Sequence, residues 1–318
     1  MPRELRIGTR GSQLALWQAN TVAARLAESG APPTRLVVIK TTGDQLQDRP
    51  LSEVGGKRLF VKEIEDALLV GEVDLAVHSS KDMPAVLPAG LTIAGVLPRE
   101  DPHDAVVLPD RSVHLQVDHL DALVALLGPA PSIGTGSIRR VSQLSRIFRG
   151  AHFEPIRGNL DTRLRKLDSG QHGALVLAAA GLRRLGFESR ISLTVPASVC
   201  VPAPGQGIVA IEVREDDTDV RDIVAAISDA DTAVALDAER ALVETLGGGC
   251  QTPIGALATP ARDGSLELVA AVATRDGKRL LRASAHGFRS KAAALGARVG
   301  RDLIDQGADA ILAEVRVP

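Results

Sequence analysis

Strand-like runs alternate with helix-patterned segments through the first two thirds of this chain, and that rhythm constrains the fold more than any other feature. "RLVVIKT" (Arg35 to Thr41) has the β-branched density of a strand. "LFVKEIEDALLVG" (Leu59 to Gly71) spaces its apolar residues at helical intervals and stops on a glycine. "VDLAVHSS" (Val73 to Ser80) and "GLTIAGVL" (Gly90 to Leu97) are the next strands. A βαβ series builds a largely parallel sheet, because parallel neighbours need a crossover between them. "PREDPHDAVVL" (Pro98 to Leu108) is a charged, proline-broken passage into a second series. There, "PSIGTGSIRRVSQLSRI" and "GALVLAAAGLRRLG" each read as strand, turn and helix. "VCVPAPGQGIVAIEVR" is a second proline-rich passage, followed by a strand. The chain is therefore expected to leave one α/β unit, build another and return. From about Asp231 the pattern changes to a helix ending at Gly247, two strands, and a long helix from Lys291. These features predict a first domain of 1–98 with 205–226, a second of 99–204, and a small α+β third domain of 227–318.

The length of 318 residues suffices for three such units. The formal net charge is −2, which supplies no global field toward nucleic acid. Aromatic residues make up 2% of the chain and tyrosine is absent, so base-stacking platforms are almost excluded. Two cysteines are too few for a disulfide framework, and no C-x-x-C is present. The opening "MPRELRIGTRGSQLALW" lacks an apolar signal core, and no apolar run reaches membrane-spanning length. The expectation is a cytoplasmic monomer with neither a membrane nor a nucleic-acid partner, and without a metal.

Three constellations stand out. In "VHSSKDMP", Lys81 and Asp82 follow a strand directly, and Pro84 biases Met83 toward an extended backbone. That places a carboxylate at a strand's C-terminal end, although a turn aspartate before proline would read the same way. Arginines are dense from Ile133 to Gly186: Arg139 and Arg140 behind "GTGS", Arg157 and Arg163 in "RGNLDTRL", and Arg183 and Arg184 in "AGLRRLG". Helix N-termini preceded by Gly, Thr and Ser bind anions, and arginine adds bidentate geometry for carboxylate or phosphate. Such arginines also form ordinary solvated helix faces. If Arg139 and Arg157 only hold a ligand, replacing either with Leu should leave folding nearly intact. "IGTRGSQLALWQA" repeats the anion-turn form with Arg10 and Ser12. Lastly, "TLGGGCQTPIG" puts Cys250 behind three glycines, where a thiolate can act as a nucleophile or a small apolar side chain can simply pack.

Taken in order, "LRIGTRGSQLALWQA", "VGGKRLFVKEIE", "AVHSSKDMP", "REDPHDA", "GTGSIRR", "RGNLDTRL", "AGLRRLG", "PAPGQG" and "GGGCQTPIG" resemble the porphobilinogen deaminase (hydroxymethylbilane synthase) family over nearly the whole chain. The resemblance implies two periplasmic-binding-protein-like α/β domains with paired crossover segments, plus the small α+β domain. It implies a transferase that joins four porphobilinogen molecules head to tail, with loss of ammonia, on a covalent dipyrromethane primer. Cys250 matches the thioether attachment site and Asp82 the catalytic aspartate. Lys81, Ser137, Arg139 and Arg140 match the primer-binding set, and Arg10, Ser12, Lys57, Arg157, Arg163 and Arg184 the substrate carboxylate-binding set. The segment from Asp44 to Gly56 is similar to the family's lid over the cleft. Gly136 departs from the pattern, standing where the family often has a hydroxyl residue. A solute-binding protein without catalysis would share the two α/β halves and paired crossings, but it gives no role to "GGGC" or to a third domain.

Overall fold

The computed structural model describes residues 4–45, 60–110, 117–249 and 252–316. The chain begins with β1 (Leu5–Thr9), α1 (Gln13–Glu28), β2 (Thr34–Val38), α2 (Thr42–Gln45), α3 (Lys62–Leu69), β3 (Leu75–Ser79) and β4 (Leu91–Val96). Ser12 caps α1, its hydroxyl oxygen accepting from the Ala15 N–H. Ala15, Ala19, Val22 and Leu26 recur at helical spacing and are buried, so this face of α1 packs on the sheet while Gly30 at φ 79° ends the turn.

The second series runs β5 (Asp104–Val107), α4 (Leu120–Leu127), β6 (Ser132–Gly134), α5 (Ile138–Leu144), β7 (His152–Glu154), α6 (Leu160–Asp168), β8 (Ala174–Ala178), α7 (Ala179–Arg184) and β9 (Leu193–Val195). The chain then returns through β10 (Val209–Arg214) and α8 (Thr218–Ala225). The first sheet has the order β2-β1-β3-β10-β4 and the second β7-β6-β8-β5-β9. In each, one strand runs against its two neighbours: β10 against β3 and β4, and β5 against β8 and β9. Both reversed strands follow a proline-rich passage, which explains why the expected parallel rhythm is interrupted just there. β3, β5, β8 and β10 are almost wholly buried, as strands covered on both faces must be.

The remainder forms α9 (Ala230–Thr245), the antiparallel sheet β11 (Ile254–Pro260), β12 (Ser265–Ala273) and β13 (Leu280–Phe288), then α10 (Ala292–Asp305) and α11 (Ala308–Arg316). Leu242, Leu266, Leu268, Leu295, Val299 and Leu303 join the helices to this sheet in one apolar core.

A polar hub ties the two crossings to α9. The buried Glu239 carboxylate accepts from Arg99 Nη1 at 2.6 Å, from the Gly205 N–H at 2.6 Å and from the Ala258 N–H at 2.8 Å. Gln206 donates to the Pro102 carbonyl at 2.6 Å, binding the second crossing to the first. Gly207 sits at φ 85°, and a Cβ there would overlap the Glu100 carbonyl. The close approach of the crossings therefore requires the last glycine of "PAPGQG".

Candidate active site

Strand ends of both five-stranded sheets supply charged side chains that act on one another. On the first sheet, β1 ends at Thr9 and the turn Arg10–Gly11–Ser12 leads into α1. Ser12 Oγ accepts the Ala15 N–H at 3.3 Å, while its own O–H is available as a donor. The Arg10 guanidinium lies over the Phe60 ring, 4.4 Å from its centroid. β3 ends in a single 3-10 turn, Ser80–Asp82, and Met83 then takes φ −82°, ψ 149°, the extended backbone expected before proline. Met83 is buried with Val61, Val96 and Ile208, which pins the turn that carries Asp82. Arg10, Ser12, Gln18, Phe60, His78 and Asp82 line one cavity of about 70 Å³.

On the second sheet, "GTGS" leads from β6 into α5, and Ser137 Oγ accepts the Arg140 N–H at 3.5 Å. Arg139 and Arg140 both turn inward to Asp104, the first residue of β5. Arg139 grips it bidentately at 2.7 and 3.1 Å, and Arg140 Nε donates to it at 2.9 Å. Burial alone would push the Asp104 carboxyl up, but Arg139 and Arg140 hold it far below the usual carboxylate range. Arg139 also donates to the Val201 carbonyl at 2.8 Å and lies 3.3 Å from Cys200 Sγ. Burial pushes the Cys200 thiol up to about 12, so this cysteine is packed and inert.

This geometry corrects one expectation. Arg139 is 3% exposed and bound to protein groups, so its loss disturbs folding as well as any ligand. Asp104→Asn leaves two buried guanidiniums short of their counter-charge. It should cost about 3–5 kcal/mol, the loss typical of breaking a buried pair from one side. An unfolding free energy from denaturant titration that falls by less than about a quarter of that would show that the cluster adds little to stability.

The cleft between the sheets is rich in cations. Burial, with Arg140 and Arg139 nearby, pushes the Lys81 ammonium down to about 8 against the pull of Asp82 and Asp104. Burial, Arg140 and Arg157 likewise push Arg163 down to about 10, and Asp82 pulls it back. Arg163 stands on α6 of the second series and Asp82 at the end of β3, so their interaction spans the cleft. Arg163 Nε also donates to the Gly158 carbonyl at 2.8 Å. Arg157 is half-buried and is lowered by that burial. Like charges that depress one another form a site short of anions, which is the donor set a ligand with many carboxylates requires. Arg184 sits apart from these: its Nη2 donates to the Gly207 carbonyl at 2.7 Å, and its guanidinium lies 5.4 Å from the Trp17 ring centroid.

Lys57, Cys250 and the lid segment beyond Gln45 lie outside the described residues. At Gly136 an added Cβ would meet only the Ile156 carbonyl, at 3.6 Å, so the missing hydroxyl does not reflect crowding. Sequence reasoning missed Asp104, Gln18, Phe60 and Gln206. "REDPHDA" shows three acids behind an arginine, and only the fold reveals which one faces inward. Among the described residues, no helix is long and apolar enough to cross a membrane, and no group of three or more His, Cys, Asp or Glu residues is placed to hold a metal.

Comparison with known proteins gives consistent matches. The family model described as "Porphobilinogen deaminase, dipyromethane cofactor binding domain" matches residues 5–222, and "Porphobilinogen deaminase, C-terminal domain" matches residues 233–305. A curated porphobilinogen deaminase of Syntrophobacter fumaroxidans is 47% identical over 315 residues, covering 98% of each chain. That of Bordetella parapertussis is 47% identical over 312 residues, covering 98% of this chain and 96% of its own. Among solved structures, the periplasmic VFT2 domain of BvgS from Bordetella pertussis aligns with a TM-score of 0.39 and 15% identity, over 70% of this chain and 86% of that one.

Proposed function

The chain belongs to the porphobilinogen deaminase family, and from that premise we propose how its own residues carry the reaction. The enzyme is a transferase, a hydroxymethylbilane synthase, that polymerises four porphobilinogen molecules with loss of ammonia into the linear tetrapyrrole of heme biosynthesis. Its cofactor is dipyrromethane. The observation that supports the residue roles is the crowding of Lys81, Arg140, Arg157 and Arg163 on one cleft with Asp82.

Cys250 anchors the dipyrromethane through a thioether. When bound, that group would supply the electron-rich pyrrole carbon to which the first unit is joined, each later unit joining the one added before it. Lys81 and Ser137 hold its carboxylates, and Arg139 and Arg140, both buried against Asp104, add positive charge behind them. Arg10, Ser12, Lys57, Arg157, Arg163 and Arg184 hold the acetate and propionate groups of incoming substrate. The Asp82 carboxylate accepts a pyrrole N–H and balances the positive charge that develops as ammonia leaves. It also takes up the proton released on coupling. The aromatic and aliphatic walls beside it, Phe60, Leu14 and Val77, limit water around that charge.

The domain limits proposed are 1–98 with 205–226, 99–204 and 227–318. The proposed state is a monomer. The two cysteines, one of them a buried free thiol, fit a cytoplasmic setting. Incubation with porphobilinogen tests the activity: one ammonia should appear per substrate consumed, and one linear tetrapyrrole per four. Substrate binding without ammonia release would overturn it.

Lys81 adds a pH signature. Its ordinary value of 10.5 falls to about 8, so below about pH 8 it is an ammonium and above it a neutral amine. Primer loading onto primer-free protein should therefore fall above about pH 8 relative to Lys81→Arg, whose guanidinium keeps its charge. Equal pH profiles for the two proteins would remove Lys81 from the carboxylate-binding set.

A further inference from the structure

Helix α9 touches the catalytic turn as well as the crossings. Arg240 Nη1 donates to the Pro84 carbonyl at 3.0 Å and Nη2 to the Ala85 carbonyl at 2.6 Å. Those carbonyls lie just beyond Asp82 and Met83. One turn earlier on the same helix, Leu236 is buried in the cluster that holds Met83. The segment "PAVLP" that follows Asp82 has a proline at each end, so it cannot join a regular ladder and its carbonyls need donors from elsewhere. A planar guanidinium supplies two at once. The C-terminal end of α9 leads through Gly247 to Gly249 into Cys250.

We propose that Arg240 is a positioning residue for chain elongation: from α9 it fixes the backbone just after Asp82, and so sets the catalytic carboxylate relative to the anchor that the same helix leads to. This rests on the roles given above to Asp82 and Cys250. The geometry gives the small third unit a part in the chemistry beyond carrying the primer. Elongation needs Asp82 to keep its place while successive units are added. A turn tethered to the anchor's own helix keeps it there.

The test uses holoenzymes of wild type, Arg240→Met, Arg240→Lys, Asp82→Asn and the Arg240→Met/Asp82→Asn double variant. Primer content is read by intact mass, and kcat and KM well below the thermal midpoint. Arg240→Met should carry the full primer, keep KM for porphobilinogen within about twofold and lose about tenfold in kcat, the kind of loss a small misplacement of a reacting group causes. Arg240→Lys, with one ammonium for two carbonyls, should recover part of that. If the methionine variant does not fold, the lysine variant alone should show about a threefold fall in kcat at unchanged KM. Because Arg240 acts through Asp82, the double variant should be no slower than Asp82→Asn alone. Wild-type kcat in primed Arg240→Met, a rise in KM alone, or losses that multiply in the double variant would each overturn the inference while leaving the roles of Asp82 and Cys250 standing. A wild-type protein without adduct, or an Asp82→Asn enzyme at full rate, would overturn those roles and the inference with them.

Discussion

Cys250→Ser should yield a protein of bare sequence mass with no measurable turnover, whereas the wild-type protein should be heavier by two linked pyrrole units. A thiolate attacks an electron-poor methylene carbon readily. A serine hydroxyl, protonated at neutral pH and with no partner base assigned, does not, so a loss of at least about 100-fold is expected. The other cysteine offers no substitute. Cys200 is fully buried against Arg139 and Asp104, and its thiol is pushed up to about 12. Intact mass of both proteins, with peptide mapping of the adduct, decides the matter. An adduct found on Cys200, or full activity in the serine variant, would remove Cys250 from the mechanism.

Asp82→Asn should lower single-turnover elongation by roughly 100-fold while the protein stays folded. The substitution keeps size and some hydrogen bonding and removes the negative charge that balances the cationic methylene-pyrrole left when ammonia departs, a role commonly worth two to three powers of ten. Folding should survive because the turn is held by the Met83 N–H donating to the Ser80 carbonyl at 3.1 Å and by burial of the Met83 side chain. Asp82→Glu should retain more activity than the asparagine variant, since it keeps charge and shifts position only. The reading is overturned if primed Asp82→Asn enzyme adds porphobilinogen at the wild-type rate.

The parts of the fold written in local pattern were legible in the sequence. The helix read over Leu59 to Gly71 is α3, Lys62–Leu69, and the helix expected to end at Gly247 is α9. The strand read over Val73 to Ser80 is β3, Leu75–Ser79, with Lys81 and Asp82 directly behind it. What escaped was long-range. No local signal shows that β10 runs antiparallel between β3 and β4, because its pairing joins residues more than a hundred positions apart. β9 and β11 were not read: β9 has three residues, and β11 begins amid the "TPIGA" turn signals. Within the site, the ordered motifs identify the arginines, but two adjacent helical arginines look alike whether they face solvent or a buried acid. Asp104 decides between those readings, and in the sequence it is only the last acid of a charged crossing.

The place of β10 also governs the order in which a newly made chain can mature. β3 and β4 leave the ribosome early, yet neither pairs with the other; both wait for a strand made only after the whole second sheet has been synthesised. Until residue 214 emerges, the first sheet lacks an inner member: β3 can pair with β1 on one edge only, and β4 has no strand partner. The second sheet, β5 to β9, is contiguous in sequence and can close without waiting. Vectorial synthesis therefore favours the middle of the protein over its beginning, and the catalytic turn behind β3 is set only when the chain has come back to it.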